Sequence, residues 1–212
     1  MKLKNKNSKR FSIRFLKKYI NLKNLLVFLI GFFVTAIVIG IIYFLSLDNG
    51  SLSSIYTNVD KYFTVSVTSL NVFIKELFSN IFNVFIIWIF GISVIGIFIV
   101  LFLLFSEGFG FGVIASSIIK MYNIKGIVGV FLYLFPCKII YIFILIILSF
   151  RAINFSYKLI NFLIFKKDID IKQELKKYFK ILVIMIIFSF VYSIFNVFVN
   201  PLCIKLWTFF IK

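Results

Sequence analysis

Few residues in this chain have the types and spacing that chemistry needs. It has no histidine and only seven acids against 24 lysines and arginines. Mechanisms that use imidazole as base or metal ligand are therefore excluded. The segment Gly91-Ile-Ser93-Val-Ile-Gly96 sets a serine between glycines as some nucleophile sites do, but a Ser-His dyad cannot form here. A serine bonding the preceding turn between two packing glycines accounts for the same residues. No Gly-x-x-x-x-Gly-Lys-Ser/Thr loop occurs, and no Cys, His or carboxylate cluster has metal-ligand spacing. Neither catalysis nor a cofactor nor a metal is expected.

Two features remain. Lys138 sits near the middle of a long apolar run, where an ammonium costs about 2.5 to 3.5 kcal/mol on insertion scales. It should face the bundle interior, a water-filled cavity or a partner. Pro136, two residues earlier, removes a backbone donor, and a kink there would free carbonyls to receive the ammonium. A long reach to the interface is the bland alternative. The second feature is a row of small residues, Gly108, Gly112 and Ser116, four apart, which predicts a helical face that another backbone approaches closely.

Both features belong to elements that must lie in a bilayer. The stretch from Asn80 to Lys138 is apolar on every face, with breaks expected at Ser106-Glu107-Gly108 and before Ile127. Over the 212 residues, 62% are hydrophobic and the mean hydropathy is +1.10. That composition indicates a polytopic membrane protein without a separate soluble domain. The net charge of +17 is dispersed around the apolar runs. It reads as a topology signal and as contacts with anionic lipid headgroups, not as a nucleic-acid surface. Cys137 and Cys203 both fall inside expected spans, and no disulfide is expected between them.

In chain order, residues 1–24 carry nine basic residues and no acid. They form a cytoplasmic flank or, in their second half, a basic amphipathic helix on the leaflet. An uncleaved anchor spans about 25–45. Residues 46–79 hold three acids against two bases and form an external loop with room for an interfacial helix. Further spans are expected at about 80–105, 108–121, 127–150 and 181–203, with a basic cytoplasmic segment at 151–180. The 108–121 run, at about 21 Å, is short for a hydrocarbon core near 30 Å, so a re-entrant segment competes with a true span. Charge parity favours the span, because 151–180 is then inside with the amino terminus. Ser189, Ser193, Asn196 and Asn200 lie along one side of the last span and should face another helix. Trp207 and Lys205 read as interfacial anchors.

The run Trp88-Ile-Phe-Gly91-Ile-Ser93-Val-Ile-Gly96, then Gly108-Phe-Gly-Phe-Gly112, Gly126 and a mid-span Pro136, resembles the stage II sporulation protein M family. Length, the basic-flanked first span, the external loop and the basic segment before the last span resemble it too. The resemblance implies a non-enzymatic membrane scaffold of endospore formation, in the septal or engulfing mother-cell membrane. Its implied partners are stage II sporulation proteins D and P, which remodel peptidoglycan for septal thinning and engulfment. Trp88, Gly91, Ser93, Gly96, Gly108, Gly112, Ser116, Gly126, Pro136 and Lys138 are then the residues expected to pack helices or meet partners. The expected fold is an all-α bundle of about five transmembrane helices with a cytoplasmic amino terminus. A small transporter or channel subunit is the competing function, although five spans do not divide into two like halves.

Overall fold

The computed structural model describes residues 22–64, 70–93, 95–164 and 170–211, leaving aside the side chains of 22–23, 49, 60–64, 133–137 and 208–211. The basic segment at 1–21 and the charges at 165–169 lie outside the described residues. Among the described residues six helices follow one another: α1 (Leu22–Leu45), α2 (Asn49–Thr64), α3 (Leu70–Gly91), α4 (Gly96–Leu163), α5 (Ile171–Ile194) and α6 (Asn200–Ile211). A π-helical turn, Phe195–Val199, joins the last two. Among the described residues there is no strand, and five segments are long and apolar enough to cross a membrane: Asn24–Leu45, Leu70–Gly91, Gly96–Leu132, Lys138–Leu163 and Ile171–Trp207.

α4 is two antiparallel limbs. Asn123 has φ 51° and ψ −130°, outside the helical region, and the chain reverses there. Gly126 shows the tightness of the reversal, since a β-carbon on it would lie 2.5 Å from the Ile118 carbonyl oxygen. Across the hairpin, Tyr141 donates a hydrogen bond to Glu107. The first limb, residues 96–122, is about 40 Å long at 1.5 Å per residue and can cross a hydrocarbon core of about 30 Å.

The helix ends differ from those read in the sequence. The expected break at Ser106-Glu107-Gly108 is continuous helix. The chain turns instead between Gly91 and Gly96, inside the apolar run that reads as one span at 80–105. Local polarity misleads here because tertiary contacts take up the polar atoms: Glu107 receives the Tyr141 hydroxyl and Gly108 packs on α1. For the same reason α3 starts at Leu70, and Lys75 and Glu76 belong to a spanning helix, not to the loop before it. The break expected before Ile127 is the reversal at Asn123, and the helix runs on past Pro136. Backbone through residues 133–137 is helical, and α4 leaves helical dihedrals at Asn123. Membrane helices tolerate proline, and the reversal is made by Asn123 at positive φ.

Buried stripes organise the core. On α1, Leu29, Phe33, Ala36, Gly40 and Phe44 are buried at helical spacing. On the first limb of α4 the stripe is Gly96, Val100, Leu104, Gly108, Gly112 and Ala115. Both helices are apolar all round, so hydropathy cannot show which face is inside. α2 buries Leu52 and Val59, and Val59 joins Ala115, Ile118, Ile204 and Trp207 in a small core at the hairpin end. α5 begins at Asp170, whose Oδ1 accepts from the Gln173 amide at 3.1 Å, with Glu174 in its first turn, a placement that suits the helix dipole.

Candidate functional site

The first of three sites is the turn between α3 and α4. A β-carbon on Gly91 would overlap the Tyr178 hydroxyl and stand 2.7 Å from the Ala152 β-carbon, and one on Gly96 would overlap the Phe90 carbonyl. Only glycine fits at either end. Ser156 Oγ lies 2.6 Å from the Gly91 carbonyl oxygen and 3.0 Å from that of Ser93, and donates to this pair. Tyr178 donates to the Trp88 carbonyl at 3.0 Å and stacks on the Trp88 ring at 5.6 Å and on Phe155 at 4.6 Å. Trp88, Gly91, Ser93 and Gly96 are therefore brought together, with Ser93 exposed in the turn itself. Beyond them, Glu174 pairs with Lys158 and, at 3.0 Å, with Lys177, which ties α4 to α5.

The second site is the glycine face. Gly112 packs on Ile37, whose carbonyl a β-carbon would overlap, and Gly108 packs on Ala36 and Phe33, 2.9 Å and 3.0 Å from where its β-carbon would be. Gly40 returns the contact against Phe109. These glycines thus close the first limb of α4 on α1 within the chain. Ser116 is partly exposed and Ala115 continues the buried face. Four residues turn a helix about 400°, so a row at four-residue spacing drifts slowly round the helix, and here a step of three, to Ala115, brings it back to the face. The signal for the partner was present as Ala36 and Gly40, also four apart, on α1.

Gly126 closes the hairpin. Beside it Gly129 lies against Trp207, and Trp207 Nε1 donates to the Lys125 carbonyl at 3.0 Å. The tryptophan read as an interfacial anchor is 2% exposed and plugs the hairpin instead. Its indole needs a buried acceptor, which the tight turn supplies.

The third site is polar and lies at mid-bundle. Asn83 donates to the Tyr141 hydroxyl at 3.0 Å, Tyr141 donates to Glu107 at 3.3 Å, and Tyr141 stacks on Tyr192 at 5.0 Å. One turn away, Asn80 donates to Ser193 at 3.0 Å, and Asn196 donates to Glu76 at 2.8 Å and accepts from Asn200 at 3.2 Å. The polar side of the last span thus meets α3. The π-helical turn belongs to this arrangement. The Asn200 amide donates to Phe195, five residues back, and Pro201 has no N–H to donate, so the register slips where Asn196 and Asn200 turn inward. Sequence reading missed Glu76, Asn80 and Asn83, although their spacing puts them on one helical face.

Lys138 lies at the edge of this cluster, its Nζ 5.6 Å from the centre of the Tyr141 ring. Among the described residues it makes no hydrogen bond and no ion pair. With Glu107, Gly110, Phe111, Ile114, Tyr141, Ile142, Leu145 and Phe33 it lines a slot of about 100 Å³. Among the described residues no group of three or more His, Cys, Asp or Glu side chains could hold a metal.

No curated protein and no solved structure matches the chain. The profile of the stage II sporulation protein M family matches residues 25–201, from the start of the first span to the proline after the π-helical turn. By that match over most of its length, the chain is a member of the stage II sporulation protein M family.

Proposed function

We propose that this protein is a non-enzymatic membrane scaffold that recruits the peptidoglycan-remodelling stage II sporulation proteins D and P for septal thinning and forespore engulfment. It works in the septal or engulfing mother-cell membrane, with its amino terminus and the α4–α5 junction in the cytoplasm. The observation that carries this reading is the family match over residues 25–201, which reaches into all five membrane-crossing segments. The packing agrees with it: Gly108, Gly112 and Gly40 are used inside the chain, which makes a rigid bundle whose outer faces are left for neighbours. One observation favours a small transporter or channel subunit, namely the charged slot at Glu107 and Lys138. At about 100 Å³ it is well below the 300 Å³ or more of ordinary ligand pockets, which weighs towards the scaffold.

The test is co-purification and imaging in a spore-forming host. A tagged chain should bring down proteins D and P from sporulating cells, and its deletion should disperse both from the septum and arrest engulfment. Normal septal localisation of both proteins in the deletion strain would overturn the scaffold role.

A further inference from the structure

Three glycines follow one another along the first limb of α4 at Gly108, Gly110 and Gly112, and their surroundings differ. Gly108 and Gly112 are filled by α1, whereas a β-carbon on Gly110 would meet nothing within 4 Å. Gly110 lines the slot, with Glu107 on its own limb and Lys138 on the facing limb. Glu107 and Lys138 stand about equally far from the Asn123 reversal on the two limbs, and each is partly exposed. Glu107 accepts one hydrogen bond, from Tyr141, and Lys138 meets only the face of that ring among the described residues. No ion pair joins them. Charges left uncovered at this depth draw in water or a polar neighbour.

We propose that the slot receives one side chain from a partner's transmembrane helix, and that this side chain is a primary amide, Asn or Gln. Charge complementarity selects the amide. A carboxylate would face Glu107, and an ammonium would face Lys138. A hydroxyl must serve both charges through one oxygen, whereas an amide offers two N–H donors to Glu107 and a separate carbonyl oxygen to Lys138. At about 100 Å³ the slot is much smaller than an ordinary ligand pocket and suits a short polar side chain. Gly110 lets the partner backbone come close enough for a short side chain to enter. The inference rests on the scaffold reading and deepens it by giving the contact its chemistry.

The experiment uses the full chain co-expressed with stage II sporulation proteins D and P. Cysteine placed by Gly110→Cys, with Cys137 and Cys203 changed to serine, is cross-linked against single cysteines walked along each partner's transmembrane helix. Cross-linking should peak within one turn of an Asn or Gln. Changing that residue to Leu should lower co-purification about tenfold, Lys138→Met should match it, and the double variant should lose no more. Gly110→Leu, which has open space for its side chain, should lose co-purification while keeping the wild-type melting temperature in detergent. If the wild-type chain captures a partner and Gly110→Leu and Lys138→Met capture it equally well, the slot is not the contact, although the scaffold stands. Cross-linking only to a second copy of the chain would name a different occupant and overturn the proposal. A wild-type chain that captures neither protein would overturn the scaffold reading and this inference with it.

Discussion

The α3–α4 turn and the mid-bundle slot are built from opposite materials. At the turn, two glycines, a serine and three aromatic rings leave no space, and Ser156 and Tyr178 are committed to backbone carbonyls. At the slot, two charged residues face a gap, and a β-carbon on Gly110, which also lines it, would meet nothing within 4 Å. A close-packed turn has one arrangement, because any added atom must displace backbone, and that suits an element that sets the angle between spans. A polar gap inside a bundle is costly unless something fills it, and that suits an element completed by a neighbour. The contrast also separates the residues singled out by type. Trp88, Gly91, Ser93 and Gly96 lie at the turn, Gly108 and Gly112 on the sealed face, and Lys138 alone at the gap.

Sidedness is the all-or-none way to test the contrast. If the α3–α4 turn is cytoplasmic and the Asn123 hairpin external, cysteine at Asp60 should label from outside and cysteine at Lys172 should not. Labelling of Lys172→Cys from outside, with the amino terminus inside, would remove one crossing and place both sites at the wrong depth.

Among substitutions, Gly91→Val should have the largest effect, because its side chain would displace both the Tyr178 hydroxyl and Ala152. Overpacking against backbone at such a site costs about 3 kcal/mol or more, and the protein should fail to accumulate in membranes. Normal levels with an unchanged melting temperature would show the turn to be as loose as the slot. Gly112→Leu should come next. It pushes α1 off α4 through the Ile37 carbonyl, at about 2 to 3 kcal/mol, and Gly40→Leu should add little further because both open the same interface. Full additivity in the double variant would mean that the two glycines do not share a contact. Loss of partners by Gly112→Leu would thus come through the bundle's own packing.

The smallest expected change is a gain. Asn123 holds φ 51° and ψ −130°, a region that glycine enters freely and other residues enter under strain. Asn123→Gly should raise stability by about 1 kcal/mol, read as a small rise in melting temperature. A fall would show that the asparagine side chain contributes more at the hairpin than its backbone strain costs.

Apolar excess and run length determined by themselves that this is an all-helical membrane chain with five crossings, because those properties depend on composition within a window and on nothing distant. Spacing of small residues likewise marked Gly108 and Gly112 as a packing face. Helix ends and pairings were decided only by the tertiary structure. Where every face of a helix is apolar, no periodicity points inward, so the match of Gly112 to Ile37 and of Gly91 to Tyr178 is a property of two helices at once. Polar residues misled for the same reason. Glu76 and Glu107 look like loop residues until Asn196 and Tyr141, 120 and 34 positions away, supply the hydrogen bonds that let them stay inside spanning helices.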